Sequence, residues 1–152
     1  MNHIETGLGS LLRALSASLD EGVEQIYRMQ GESFRPRYFP VVRMLLEHGA
    51  LRVGALAEGC GVSQPAMTQT LAAMRKDGIV ESTGGEDQRA RLVSLTSRGR
   101  AQAARLQKYW SATARAAAQL EAECRTSLSA VARDYQAALQ GKPFIDRIKE
   151  QL

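Results

Sequence analysis

VGALAEGCGVSQPAMTQTLAAMRKDGIVESTGGEDQRARLVSLTSRG, residues 53–99, sets two short helical patterns either side of a glycine turn and follows them with two strand-like runs. Val53, Leu56 and Ala57 supply one inward face for a short helix over Arg52–Glu58. Gly59-Cys60-Gly61 is a turn, and Ser63 stands where it can cap a second helix, with Gln64 and Pro65 in its first turn. A serine hydroxyl just ahead of a helix accepts from the free N–H groups of the first turn, and proline there sacrifices no bond. Met67, Leu71 and Met74, spaced four and three, give this helix its apolar side, and Gly78 ends it. Gly61 can take positive φ and redirect the chain. Val62 and Met67 are expected to plug the corner that results. Two short helices joined in this way form a helix-turn-helix.

A hairpin follows. Ile79–Ser82 and Leu92–Leu95 are β-branched or alternating, with Leu92 and Ser94 on one side and Val93 and Leu95 on the other. Gly84-Gly85 signals a turn, within a polar tip from Thr83 to Arg91. Thr96 is expected to cap the next helix. The fold class is therefore mainly α with a small β part (α+β): a winged helix-turn-helix.

The second helix turns Ser63, Gln64, Thr68, Gln69 and Ala72 outward. Short polar side chains near a helix N-terminus reach base edges or phosphates without a long linker. The hairpin tip holds Arg89 and Arg91 beside Glu86 and Asp87. Arginine on an extended tip suits a minor groove, where the negative potential is strongest. Asp87 would repel phosphate unless paired, so it is read as the partner that orients Arg89 or Arg91.

The charge map agrees. The chain carries a net charge of +4. Ser63–Lys108 holds eight basic and four acidic residues, whereas the remainder is balanced at twelve and twelve. The whole excess falls on the segment that would face phosphate.

Outward from this centre the chain is helical. Leu8, Leu12, Leu15, Leu19, Val23 and Ile26 mark one face of a helix from about Leu8 to Met29. Gly31, Pro36 and Pro40 mark a connection over residues 31–40. A helix with Val41, Val42, Met44, Leu45 and Leu46 follows, with Pro40 near its first turn and Gly49 as its stop. Beyond Thr96, Leu106, Trp110, Thr113, Ala117, Leu120 and Cys124 form a heptad-like stripe. Leu128, Val131, Tyr135 and Ala138 mark another helix, stopped by Gly141, and Pro143 opens a short amphipathic tail.

Asp87-Gln88-Arg89 followed by Leu95-Thr96-Ser97-Arg98-Gly99 resembles the wing signature of the MarR family at every fixed position. Leu56-Ala57-Glu58, Gly61-Val62-Ser63-Gln64-Pro65 and Lys76-Asp77-Gly78-Ile79-Val80 resemble its helix-turn-helix. The resemblance implies a DNA-binding transcriptional regulator that acts as a homodimer on a pseudo-palindromic operator, modulated by a small-molecule effector. It implies DNA contacts at Ser63, Gln64, Pro65, Ala66, Thr68 and Gln69 of the reading helix, Arg75 and Lys76 at its basic end, and Asp87, Arg89 and Arg91 in the wing. It further implies one domain over residues 1–152, with 36–99 binding DNA and 1–30 and 100–152 forming the helical dimerisation part. One departure is Gly59-Cys60, where the family more often has a larger pair such as Arg-Leu; this would loosen the corner. Arg37, Tyr38 and Phe39 are candidates to line an effector pocket, and Arg35, Arg37 and Arg43 are alternative phosphate contacts.

Other classes are poorly served. His3 and His48 are the only histidines and lie far apart, so no metal or cofactor is expected. No polar constellation suggests acid–base or nucleophilic catalysis, so the chain is not read as an enzyme. Cys60 and Cys124 are read as small core residues; redox-sensing relatives use a cysteine near the first helix, which has none here. No run reaches the roughly 18–20 apolar residues of a membrane span. The first residues lack a basic-then-apolar leader pattern. A cytoplasmic protein is expected. The rival reading is a winged helix that binds protein and not DNA; the basic segment and the polar, uncharged reading face argue against it.

Overall fold

The computed structural model describes residues 7–84 and 91–152. It is mainly helical, with one small antiparallel sheet, and it divides within its longest helix into two compact units, Met1–Tyr109 and Trp110–Leu152.

In the first unit, α1 spans Leu8–Met29, the bounds that the apolar spacing predicts. A 3-10 turn at Pro36–Tyr38 leads into α2, Phe39–His48, which has Pro40 in its first turn and Gly49 at its end. The helix-turn-helix is α3, Val53–Gly59, and α4, Gln64–Lys76. Gly61 takes φ 66° between them, the left-handed conformation that a side chain disfavours. Ser63 caps α4 by accepting from the Ala66 N–H at 3.3 Å. Met67, Leu71 and Met74 are buried as their spacing requires, whereas Val62 is 44% exposed and plugs nothing. Gly61 makes the turn so tight that the next side chain emerges on the solvent side. Val53 is only half-buried, so α3 packs through Leu56 and Ala57.

The wing strands are β2, Val80–Thr83, and β3, Leu92–Leu95. A two-residue strand, β1 at Leu51–Arg52, completes the sheet in the order β1-β3-β2. Val93 and Leu95 point into the core. There they join Val41, Val42 and Leu45 of α2, Leu56, the α4 residues, Ile79 and Leu106. Each of the larger side chains so buried stabilises by roughly 1.5–3 kcal/mol.

The third layer of this unit is the start of α5, which spans Ser97–Glu123. Thr96 does more than cap it. Its Oγ1 accepts from the Gly99 N–H at 2.9 Å and lies 2.6 Å from the Gly78 carbonyl oxygen, to which it donates. Its backbone N–H donates to the Ile79 carbonyl at 3.0 Å. One residue thus ties the end of α4, the start of the wing and the first turn of α5.

The connection after α1 is held by polar contacts between residues about seventy positions apart. Arg105 donates from Nε to Glu32 Oε1 at 2.8 Å and from Nη2 to Oε2 at 3.2 Å, and the buried Gln102 amide donates to Oε2 at 2.8 Å. Tyr109 donates to Gln30 at 2.6 Å. The Arg105 guanidinium holds the Glu32 carboxyl below its ordinary value; partial burial opposes this and Gln102 adds to it. A carboxyl depressed on folding stabilises above its unfolded pKa and loses that contribution as the pH falls through the folded one. Glu32→Gln should therefore destabilise the fold at pH 7 and shrink in effect in acid, below the ordinary carboxyl value of 4.5. Urea unfolding of both proteins across that range checks this. An equal difference at neutral and acid pH would remove the ionic contribution.

In the second unit, α6 covers Leu128–Gly141 and α7 covers Phe144–Lys149. Ser127 caps α6 through the Ala130 N–H at 3.2 Å. The Glu121 carboxylate accepts from the Ser129 hydroxyl at 2.6 Å, the Ser129 N–H at 2.8 Å and the Ser127 hydroxyl at 3.0 Å, and these bonds hold its pKa down. Arg147 closes the other end of α6 by donating to the Ala138 and Lys142 carbonyls. Along the expected stripe of α5, Leu106 and Trp110 are buried. Thr113, Ala117, Leu120 and Cys124 are exposed, so Cys124 is not a core residue of the chain. No helix among the described residues is long and apolar enough to cross a membrane.

Candidate nucleic-acid interface

The exposed side of α4 carries the reading-helix candidates. Ser63, Gln64, Pro65, Ala66, Thr68 and Gln69 are all exposed in its first turns, and Arg75 and Lys76 are exposed at its end. Their opposite neighbours Met67, Leu71 and Met74 are buried, which fixes the outward face. The free N–H groups of the first turn and the positive end of the helix dipole lie among these polar side chains.

A groove of about 770 Å³ runs beside this face, lined on one wall by Gln64, Thr68 and Arg75 and elsewhere by Arg52, Glu58 and Arg91. Arg75 is fixed in it. Its Nε and Nη2 donate to Ser82 Oγ at 3.1 and 2.8 Å, so the basic end of α4 is tied to strand β2 of the wing. The groove thus brings together four of the sequence candidates, Gln64, Thr68, Arg75 and Arg91. Asp87 and Arg89 lie outside the described residues. The same holds for the expected pairing of Asp87 with an arginine.

The basic excess of the segment is divided by its geometry. Arg75 and Arg91 face the groove, but Arg105 is committed to Glu32, and the Lys108 ammonium sits 4.8 Å over the Tyr109 ring. Charge counting along the chain cannot make this distinction, because the partners of Arg105 lie far away in sequence. Arg52 in the groove was likewise hidden, since β1 is too short for a strand pattern.

The effector candidates divide as well. Tyr38 is fully buried, edge-on to Phe34 with ring centroids 5.6 Å apart, and Phe34 meets Tyr27 in the same way at 5.3 Å. The Tyr38 hydroxyl donates to Asp77 at 2.8 Å, and burial first, then this bond, raises its pKa. Arg35 and Arg37 are exposed and lie 6.0 and 5.7 Å from the Tyr38 ring centroid. Phe39 is half-buried at the start of α2, and Arg43 is exposed. A shallow depression of about 380 Å³ is lined by Glu24, Arg28, Glu32, Phe34, Arg35 and Asp77, and Arg37, Tyr38 and Phe39 are not in its lining.

The MarR family model matches residues 34–90, from the connection before α2 to just short of β3. Over this segment the chain is similar to the MarR family. Solved structures agree with the fold. A MarR family transcriptional regulator from Silicibacter pomeroyi is 27% identical, with 91% of this chain and 99% of that chain covered at a TM-score of 0.64. The M. tuberculosis transcriptional regulator MosR in complex with DNA is 23% identical, with 89% and 95% covered at 0.69. A MarR family regulator from Neisseria meningitidis is 22% identical, with 100% of both chains covered at 0.62. No curated protein matches the chain.

At Gly59-Cys60, where the sequence departs from the pattern it otherwise resembles, the structure supplies the compensation. A Cβ on Gly59 would overlap the Met44 side chain, which lies over the glycine. Cys60 Sγ sits 3.7 Å from Met44 Sδ. A long flexible side chain from α2 therefore fills the corner that a larger residue would otherwise occupy. Burial pushes the Cys60 thiol pKa up, away from the thiolate that redox chemistry needs.

Proposed function

We propose that this protein is a sequence-specific DNA-binding transcriptional regulator of the MarR type that acts as a homodimer. The observation that carries the reading is the exposed, uncharged polar face of α4 beside a groove holding three arginines. Polar side chains on a helix discriminate bases, and arginines beside them bind the backbone. The dimer sets two reading helices in successive major grooves, with half-sites about one helical turn, roughly 10 base pairs, apart. Leu8, Leu12, Leu15 and Leu19 on α1, and separately Phe144 and Ile145 on α7, are exposed apolar residues that a second copy would cover. Residues 36–99 act as the DNA-binding part and the flanking helices as the dimerising part. A small-molecule effector that alters the separation of the two heads weakens binding.

Selection of bound duplex from random pools, followed by binding isotherms, tests this. A recovered two-fold sequence supports the reading, and absence of duplex binding at any salt concentration overturns it. Gln69→Ala should relax preference for the selected sequence while leaving binding to unrelated duplex nearly unchanged. Arg89→Ala should weaken binding to every sequence. An Arg89→Ala isotherm identical to wild type across a salt titration would remove the wing from the interface.

A further inference from the structure

By sequence pattern, Arg52 is only the entry to α3. In the sheet it is the second residue of β1, paired with Leu92, which directly follows Arg91. Arg52 and Arg91 line the same groove, one from β1 and one from the root of β3. Arg75 enters that groove from α4 and is anchored on Ser82 of β2. Three guanidinium groups from three different elements thus share a groove that holds one carboxylate among the described residues, that of Glu58. The Arg52 side chain is exposed and makes no ion pair among the described residues. Its five N–H donors are available to a ligand.

We propose that Arg52 is a DNA-backbone contact, holding a phosphate at the root of the wing while α4 forms the opposite wall of the groove. The inference rests on the DNA-binding function proposed above. Several features select phosphate over a base edge. Arg52 is on a strand at the sheet edge and not on the reading helix. A planar guanidinium engages two phosphate oxygens at once. Among the described residues of the groove the arginines outnumber the one carboxylate, which leaves the net positive charge that an anion requires. Its contribution is therefore to affinity for any duplex and not to sequence choice. Glu58, in the same groove, acts with the opposite sign by repelling the same phosphate.

Fluorescence anisotropy with the selected duplex and with an unrelated one, from about 0.05 to about 0.3 M salt, tests the assignment. Arg52→Ala is expected to weaken both by the same factor, about 5–10-fold, and to lower the slope of log K against log salt by about one. Arg52→Lys should keep the slope, and Glu58→Gln should strengthen both complexes. The Arg52 side chain is exposed, so an unchanged melting curve is the control for folding. Wild-type affinity and slope in Arg52→Ala would overturn the assignment, as would a loss confined to the selected duplex. Calorimetric titration with inorganic phosphate separates the other source of the same chemistry. If Arg52→Ala abolished phosphate binding yet left duplex binding intact, the groove would serve a free anion and the proposal would fall. Failure of the wild-type chain to bind any duplex would remove the functional reading itself. An unchanged Arg52→Ala beside a binding wild type would remove only this contact.

Discussion

Gly99→Ala should destabilise the winged helix by about 1–3 kcal/mol net, even after the helix-propensity trend that favours alanine by roughly 0.5–1 kcal/mol. Gly99 lies in the first turn of α5, and a Cβ there would overlap the Ile79 carbonyl oxygen and lie 3.0 Å from its carbon. That carbonyl cannot retreat freely. It accepts the Thr96 N–H, and the preceding carbonyl, of Gly78, accepts the Thr96 hydroxyl. Relief of the clash would break one of these bonds, worth about 1 kcal/mol, in addition to the overpacking cost of about 1–3 kcal/mol. The Leu-Thr-x-x-Gly part of the wing signature thus has a mechanical meaning. Leu95 fills the core, Thr96 clips three elements, and Gly99 lets α5 touch the strand backbone. Urea unfolding followed by far-ultraviolet circular dichroism measures the loss. Stability within about 0.5 kcal/mol of wild type would mean that α5 does not need this approach.

What the sequence disclosed was local. The bounds of α1, the Ser63 cap and the Met67, Leu71 and Met74 face follow from spacing and capping chemistry within a few residues. The wing pairing followed from two alternating runs around Gly84-Gly85. Long-range matters were illegible. Nothing near Glu32 announces Arg105, and nothing near Gly59 announces that Met44 covers it. Val62 was read as inward from its place at the corner and Cys124 from the heptad spacing, yet both are exposed, because local position does not fix what a side chain meets in the fold. The candidate site divided along the same line. The α4 face was readable from periodicity. Arg52 was not, since two residues of strand carry no pattern and only pairing with β3 brings that side chain to the groove. Arg105 and Lys108, counted in the basic segment, are turned to Glu32 and Tyr109.

Leu12→Glu combined with Leu19→Glu is expected to yield a folded monomer whose affinity for the selected duplex falls at least about 100-fold. The helix carrying these leucines is attached to its own unit chiefly at one end. Tyr27 is its buried residue, and the apolar residues from Leu8 to Leu19 are 39% exposed or more. Carboxylates at positions 12 and 19 therefore meet water in the isolated chain and leave its core intact. In a dimer that covers this face, each would be buried without a partner at a cost of several kcal/mol, and every 1.4 kcal/mol is tenfold in dissociation. Loss of the dimer then uncouples the two reading heads. Binding of one half-site no longer raises the local concentration of the second head, although each α4 and its groove stay whole. Light scattering reports mass and anisotropy reports affinity, so the two effects are read separately. A variant that stays dimeric with wild-type affinity would move the interface away from α1. A monomer that kept full affinity would show that one reading head suffices.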